Sequence, residues 1–282
     1  MIVYSRDEYK QWAMQRALDD QRLRFFLGDV RDLRRTTDAV QRADIVVHTA
    51  ALKHVTAMEY NPDQAVATNI LGTQNVIDAV RHSPVRKAIL LSTDKACAPA
   101  NLYGVTKACA ERLWIASNVH KPAFSMVRYG NVMESRGGVL ELWQQAIADG
   151  KEIKITDHTM TRFWMTYPMA IEAVSLAVKW QAGLAVIHKA PSFTLGALAD
   201  ALGAAKRVTV PRGPGEKTHE ILMTEYESHR CWNAGEAYVL RPEVPYDDNV
   251  QWDHGGEKIP DGFWLSSDAQ QMMSVEEIRR LL

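Results

Sequence analysis

Short apolar runs alternate with amphipathic stretches through the first 130 or so residues. Met1–Tyr4, Leu23–Leu27, Asp44–His48, Lys87–Leu91 and Ala123–Val127 read as strands. Helical patterns lie between them near 7–18, 32–42, 61–82 and 101–118. Such alternation predicts βαβ units and a parallel sheet with helices on both faces. Asn61-Pro62-Asp63 is a good start for the third helix, with a cap-type residue before Pro at the first helical position. Beyond residue 132 the pattern becomes irregular. Helices are expected near 138–149, 168–181, 194–202 and 275–282, with short strands between. Residues 211–216 and 241–262 are rich in Pro, Gly and Asp and read as surface loops. The chain thus divides into a strand–helix unit over 1–132, with a returning segment near 168–190, and a second lobe over 133–167 and 191–282. No internal repeat or low-complexity segment interrupts it.

Composition narrows the classes. A chain of 282 residues can bury a large core and suits one two-lobed unit. A net charge of −1 offers no field for nucleic acid. The three cysteines, Cys97, Cys109 and Cys231, have no metal or redox spacing, and their odd number argues against a disulfide framework. A reducing cytoplasm is the natural setting. No apolar stretch reaches membrane-spanning length, and the first residues lack a signal-peptide layout, so neither a membrane nor nucleic acid is an expected partner. The nine histidines are scattered without ligand spacing, which argues against a metal site. The eight tryptophans are scattered too, as core or interface residues.

The chemistry concentrates in one place. Ser92-Thr93-Asp94-Lys95-Ala96 follows the fourth strand-like run and so lies at its carboxyl end, where open α/β sheets bind ligands. Tyr103 and Lys107 follow at a spacing of four, on one helix face. A cation beside a tyrosine favours the phenolate, so the expected chemistry is proton and hydride transfer at an alcohol carbon. With these stand Tyr4-Ser5-Arg6-Asp7-Glu8, Gly28-Asp29-Val30-Arg31-Asp32, His48-Thr49-Ala50-Ala51-Leu52-Lys53-His54-Val55, Thr68-Asn69-Ile70, Arg128-Tyr129-Gly130-Asn131-Val132 and Thr161-Arg162-Phe163-Trp164. In this order the strings resemble the extended short-chain dehydrogenase/reductases, and closely the C5-inverting UDP-N-acetylglucosamine 4,6-dehydratases. The resemblance runs from residue 1 to about 225 and is densest before 165.

That resemblance implies an α/β, Rossmann-like doubly wound parallel sheet with a smaller C-terminal substrate-binding lobe. It implies a nicotinamide cofactor held by Ser5, Arg6, Asp29, Val30, Ala50, Ala51, Lys53, Asn69, Ser92, Tyr103 and Lys107. Ser5 and Arg6 at the second-strand position point to NADP rather than NAD, since an acidic residue there favours NAD. Ser5 and Glu8 also have capping-box spacing. Thr93, Asp94, Lys95, Tyr103 and Lys107 are the implied catalytic set. Thr93 or Ser92 orients O4 of the sugar, Tyr103 takes its proton, and Lys107 lowers the tyrosine pKa. Asp94 delivers a proton at O6, and Lys95, made neutral by burial and nearby positive charge, removes the C5 proton. Retaining dehydratases carry Asp-Glu at this pair, so Lys95 marks the inverting class. A UDP-sugar would meet Lys53, Asn131, Arg136, Arg162 and Glu216. Arg suits a diphosphate because its planar fork pairs with phosphate oxygens. Glu134 stands where relatives have Gly, and can pair with Arg136 as a solvated loop contact.

One element of the pattern has no counterpart. No G-x-G-x-x-G or G-x-x-G-x-x-G occurs, and Ile2-Val3-Tyr4-Ser5-Arg6-Asp7 matches the family's second strand. The expectation is an N-terminally truncated sheet with a gap in its core and no glycine turn for the cofactor pyrophosphate. Three readings stand: a dehydratase making a UDP-4-keto-6-deoxy-hexosamine for surface glycans, a 4-epimerase of the same fold, or a catalytically impaired or non-catalytic copy. A homo-oligomer is expected.

Overall fold

The computed structural model describes residues 1–119, 122–180, 183–246 and 256–282. Its first half runs β1 (Ile2–Ser5), α1 (Glu8–Leu18), β2 (Arg24–Leu27), α2 (Leu33–Val40), β3 (Ile45–His48), α3 (Val55–Tyr60), α4 (Pro62–Ala65), α5 (Gly72–Arg81), β4 (Lys87–Thr93), α6 (Leu102–Ala116) and β5 (Ala123–Tyr129). Then follow α7 (Val139–Ala148), β6 (Ile153–Ile155), β7 (Thr161–Phe163), α8 (Tyr167–Lys179), β8 (Ala185–His188), β9 (Ser192–Thr194), α9 (Leu195–Ala201) and β10 (Arg207–Thr209). The chain ends with β11 (Ile221–Met223), α10 (Glu225–Ser228), β12 (Cys231–Asn233), β13 (Ala237–Leu240), β14 (Glu257–Lys258), β15 (Leu265–Ser266) and α11 (Val275–Leu281). The helix expected over 61–82 is broken in its middle by a π-helical turn, Val66–Leu71. Such turns concentrate at functional positions. Asp7, not Ser5, caps α1, accepting from the Lys10 amide at 2.9 Å, so the Ser5–Glu8 capping box does not form.

The main sheet has the order β14-β12-β13-β8-β5-β4-β3. Strands β3, β4, β5 and β8 are parallel, whereas β13 and β12 extend the sheet antiparallel and β14 pairs antiparallel to β12. The sheet is therefore mixed, and residues 231–240 and 257–258 belong to it rather than to the second lobe. Of the loop expected over 241–262, residues 247–255 lie outside the described residues.

Alternation along the central strands explains the two layers. Ala88 and Leu90 of β4, with Phe124 and Met126 of β5, pack against Val76, Ile77, Val80 and Trp114 of α5 and α6. Ile89 and Val127 face the other way, against Ala173 and Ala177 of α8. Strands covered on both faces read as continuous apolar runs, as these do. A separate core of Leu140, Trp143, Ile153, Ile155, Phe193 and Leu198 holds the α7–β6 and β9–α9 region together.

The gap expected in the core is present. Among the described residues β1 and β2 pair only with each other, in parallel, and β3 ends the main sheet. Between β1 and β3 lies a groove of ≈ 640 Å³ lined by Ile2, Tyr4, Val40, Val46, His48 and Ala50, among others. Ile45 and Val47 of β3 remain 44% and 42% exposed. A strand buried on one face only, with one unpaired edge, is unusual beside a parallel sheet.

Candidate active site

β4 delivers the site. Its last residue, Thr93, caps a short 3₁₀ turn over Asp94–Ala96, and α6 then begins at Leu102 with Asn101 accepting from the Gly104 amide at 2.9 Å. The two segments touch because position 104 has no side chain: a Cβ there would overlap the Lys95 carbonyl oxygen. Gly104→Ala is therefore expected to push α6 off the turn and cost roughly 1–3 kcal/mol, measured as a lowered denaturation midpoint with unchanged m-value.

Thr93 Oγ1 donates to Asp94 Oδ1 at 2.8 Å, and Lys95 Nζ donates to the same oxygen at 3.1 Å. On its far side the Lys95 ammonium meets Glu220 Oε1 at 3.4 Å. Glu220 immediately precedes β11 and is itself within 3.8 Å of Arg162 Nε. Tyr103 hydrogen-bonds Thr93 and faces the Lys95 charge. Thr93, Asp94, Lys95 and Tyr103 thus form one constellation at the carboxyl end of β4.

The electrostatics differ from the sequence expectation at two lysines and the tyrosine. Burial works against the charge of Lys95, but Asp94 and Glu220 outweigh it and hold the ammonium above its ordinary range. Burial raises the Tyr103 phenol above its ordinary value, although Lys95 and the Thr93 hydrogen bond pull the other way. Lys107 is pushed down to about 8, chiefly by burial, and its Nζ donates to the Leu91 carbonyl at 2.7 Å. The cation that eases ionisation of Tyr103 in this structure is therefore Lys95, and Lys95 itself is charged rather than neutral.

Ser92 faces elsewhere. Its hydroxyl donates to Glu111 Oε1 at 2.5 Å, and Glu111 pairs with Arg128 at 2.7 Å, which also pairs with Glu227 at 3.0 Å. This buried network joins β4, α6, β5 and α10, so the Ser92 hydroxyl is turned away from the constellation that Thr93 joins. Burial opposes the Glu227 charge, yet Arg128 holds its carboxyl down at about 2.

The nucleotide-side residues gather at the carboxyl ends of β1, β2 and β3. Arg6 lies 3.7 Å from Asp29, whose carboxylate is also bound by Arg31 at 2.7 Å and so is held below its usual range. Ser5 Oγ accepts from Gln11 Nε2 at 3.0 Å. Val30 is a core residue whose side chain packs where Gly72 leaves room. Asn69, in the π-helical turn, accepts from the Leu52 amide at 2.8 Å and donates to the Leu52 carbonyl and to Thr106. It braces the loop carrying Ala50, Ala51 and Lys53 against α6, and its amide is spent in doing so.

The substrate-side residues separate into two groups. Lys53 Nζ donates to the Arg136 carbonyl at 2.8 Å, joining two exposed loops, and the buried Asn131 Oδ1 has no hydrogen-bond partner. Among the described residues no ion pair links Glu134 with Arg136. Arg162 is buried and turned inward, donating to the Thr161 and Thr218 carbonyls and pairing with Glu216 at 3.5 Å. Arg162 and Glu216 therefore brace the 213–220 segment. Glu220 and Glu111 escaped the sequence reading, and Arg128 entered it only within a family string, with no partner. Only Glu220 had a signal, a carboxylate closing Gly215-Glu216-Lys217-Thr218-His219 just before an apolar strand.

Residues 1–242 match the family described as polysaccharide biosynthesis protein. The UDP-N-acetylglucosamine 4,6-dehydratase (inverting) of Campylobacter jejuni serotype O:23/36 is 40% identical over 98% of this chain and 87% of its own length. A protein named UDP-glucose 4-epimerase from Rickettsia bellii strain OSU 85-389 is 37% identical over 99% and 85%. The X-ray structure of Pen from Bacillus thuringiensis has a TM-score of 0.91 at 34% identity, covering 99% of this chain and 88% of that one. DesIV, a dTDP-glucose 4,6-dehydratase from Streptomyces venezuelae, shares the fold at TM-score 0.69 and 22% identity, over 77% and 76%. The chain belongs to the polysaccharide biosynthesis protein family, in its branch of inverting UDP-N-acetylglucosamine 4,6-dehydratases among the extended short-chain dehydrogenase/reductases.

Proposed function

We propose that the chain is an NADP-dependent, C5-inverting UDP-N-acetylglucosamine 4,6-dehydratase. The observation that carries the reading is the meeting of Thr93, Asp94, Lys95 and Tyr103 at one strand end. Simple 4-epimerisation needs the hydroxyl and the tyrosine but no acid–base pair for C5 and C6, and the Asp94-Lys95 pair has no task in it. Incubation with UDP-N-acetylglucosamine and NADP in the presence of a glycine-rich β-α segment supplied as a peptide, followed by NMR, should reveal a 4-keto-6-deoxy product. A galacto-configured sugar with no loss of water would favour the epimerase.

The residues suit the two ends of the cofactor. Arg6 can meet a 2′-phosphate, with Asp29 on the adenosine side, and Tyr103 and Lys107 stand at the nicotinamide end. A bound nicotinamide supplies the oxidation at C4 and the later reduction at C6. The remaining steps fall to this chain. Thr93 orients O4, and Tyr103 takes its proton. The C4 ketone acidifies C5–H, Lys95 removes that proton, and Asp94, hydrogen-bonded to Lys95 Nζ at 3.1 Å, relays it to O6 as O6 leaves as water. The open groove beside β3 supports a second reading, that the 282-residue polypeptide alone carries a formed chemical site but a poor cofactor site.

Self-association and a cytoplasmic setting complete the reading. The π-helical turn and α6 expose Val66, Leu71 and Val105 on adjacent elements. Symmetric dimers are the commonest soluble oligomers. Sedimentation at micromolar concentration is expected to give a dimer or larger, and a folded monomer would count against this.

A further inference from the structure

Two carboxylate oxygens at this site are buried without a hydrogen-bond partner: Asp94 Oδ2 and Glu220 Oε2. Buried polar atoms are rarely left so, and a concentration of them at one place marks a functional constraint. The partner oxygens of both carboxylates hold the same ammonium, at 3.1 and 3.4 Å from Lys95 Nζ. The Asp94 and Glu220 side chains are 1% and 5% exposed. Other charges face the group from neighbouring elements. Arg162 of β7 approaches Glu220 and is paired in turn with Glu216, and the Tyr103 hydroxyl of α6 lies opposite. The carboxylates outweigh the arginine, so the resting lysine keeps its proton.

That creates a chemical problem for the dehydratase reading, on which this inference rests. A base at C5 must be an amine, and a lysine held between two carboxylates has little tendency to release its proton to water. We propose that Glu220 is the positioning residue of the C5 base: it holds Lys95 Nζ in place and receives its proton before Lys95 acts. In that transfer one Nζ–H bond breaks and one Oε–H bond forms. Ammonium and carboxylate become amine and carboxylic acid, and no net charge leaves the pocket. The amine then takes the C5 proton, and the C5–H electron pair passes into the enolate of the C4 ketone. Glu220 Oε1, which faces Nζ at 3.4 Å, is the acceptor, and Oε2, without a hydrogen-bond partner, leaves the carboxyl group free to take the proton. Asp94 then takes a proton from the re-formed Lys95 ammonium across their 3.1 Å hydrogen bond and passes it to O6, which leaves as water.

The test is competitive acetylation of the 282-residue protein with acetic anhydride, read at Lys95 by mass spectrometry, because only neutral amines react. Wild type should label slowly at Lys95. Glu220→Gln should label at least about tenfold faster, the change that a one-unit fall in lysine pKa produces. Glu220→Asp, which keeps the charge, should stay near wild type. Should Glu220→Gln fail to fold, visible as loss of the native circular dichroism, Glu220→Ala takes its place, with the same rise in Lys95 labelling expected and an unchanged rate in the folded protein overturning the proposal. Unchanged Lys95 labelling in a folded Glu220→Gln protein would overturn the proposal. A kinetic readout separates positioning from mere structure. The rising limb of C5 solvent exchange against pH should move downward in Glu220→Gln, while C4 oxidation keeps its profile. Failure of the wild type, supplied with NADP and a glycine-rich β-α segment, to yield a 4-keto product would sink the dehydratase reading, whereas the labelling result bears on Glu220 alone.

Discussion

Calorimetric titration of the 282-residue chain with NADP is expected to show binding weaker than micromolar, or none. Dinucleotide folds hold the pyrophosphate on backbone N–H groups at a helix N-terminus. Here the place between β1 and β3 is a groove of ≈ 640 Å³, and no glycine-rich turn occurs in the sequence. Two charge-assisted hydrogen bonds at about 1.5–3 kcal/mol each, with up to ~2 kcal/mol from the helix end, amount to roughly 3–8 kcal/mol. That is a loss of about a hundredfold to several hundred-thousandfold in affinity. Arg6 and Asp29 at one end, and Tyr103 and Lys107 at the other, do not compensate, because Asp29 is already bound by Arg31 and Lys107 by a carbonyl. The groove lies between β1 and β3, each of which is parallel to its other neighbour. A glycine-rich β-α segment supplied in cis, or as a peptide, should therefore restore binding and turnover together. Micromolar affinity in the chain as it stands would show that another element does the work of the glycine turn. The same edges favour association, so addition of the segment should also reduce aggregation.

The strands of the first half were legible because each is a short apolar run between capped helices, and a strand buried on both faces has no other way to look. The strand-end cluster was legible for a related reason: polar residues directly after such a run have only the sheet's carboxyl edge to occupy. What escaped the sequence was partnership across distance. Glu220 lies far along the chain from Lys95, and only the fold brings its carboxylate to 3.4 Å. The charge state of Lys95 escaped with it, since one unseen carboxylate reverses the sign of the shift. Ser92 was misplaced because adjacent residues of a strand point to opposite faces. Thr93 faces the site while Ser92 faces Glu111. Arg162 was expected in the substrate pocket because Thr161-Arg162-Phe163 resembles a segment that lines it in the family, and its inward turn depends on carbonyls of residues 161 and 218. The antiparallel strands of 231–240 were hidden by their brevity and by the turns around them.

Replacing Lys95 should have the largest effect on the chemistry itself. Lys95→Met removes the only amine between Asp94 and Glu220, and general-base catalysis of this kind is worth roughly 10²–10⁴-fold. Solvent deuterium exchange at C5, measured by NMR at saturating NADP with the β-α segment present, should fall by at least that factor, with nucleotide affinity nearly unchanged. The substitution also leaves two buried carboxylates without their shared cation, and breaking a buried pair costs roughly 3–5 kcal/mol when the loss is complete. A destabilised Lys95→Met protein could lose exchange for that reason alone. Lys95→Arg separates the two causes. Arginine keeps a positive charge for Asp94 and Glu220, yet it does not give up its proton in proteins. If Lys95 is the C5 base, Lys95→Arg folds and loses exchange as completely as Lys95→Met. If Lys95 acts only through its charge, Lys95→Arg retains much of the wild-type rate. Exchange at the wild-type rate in either variant would transfer the C5 step to another residue, and Asp94 is the nearest group able to take it.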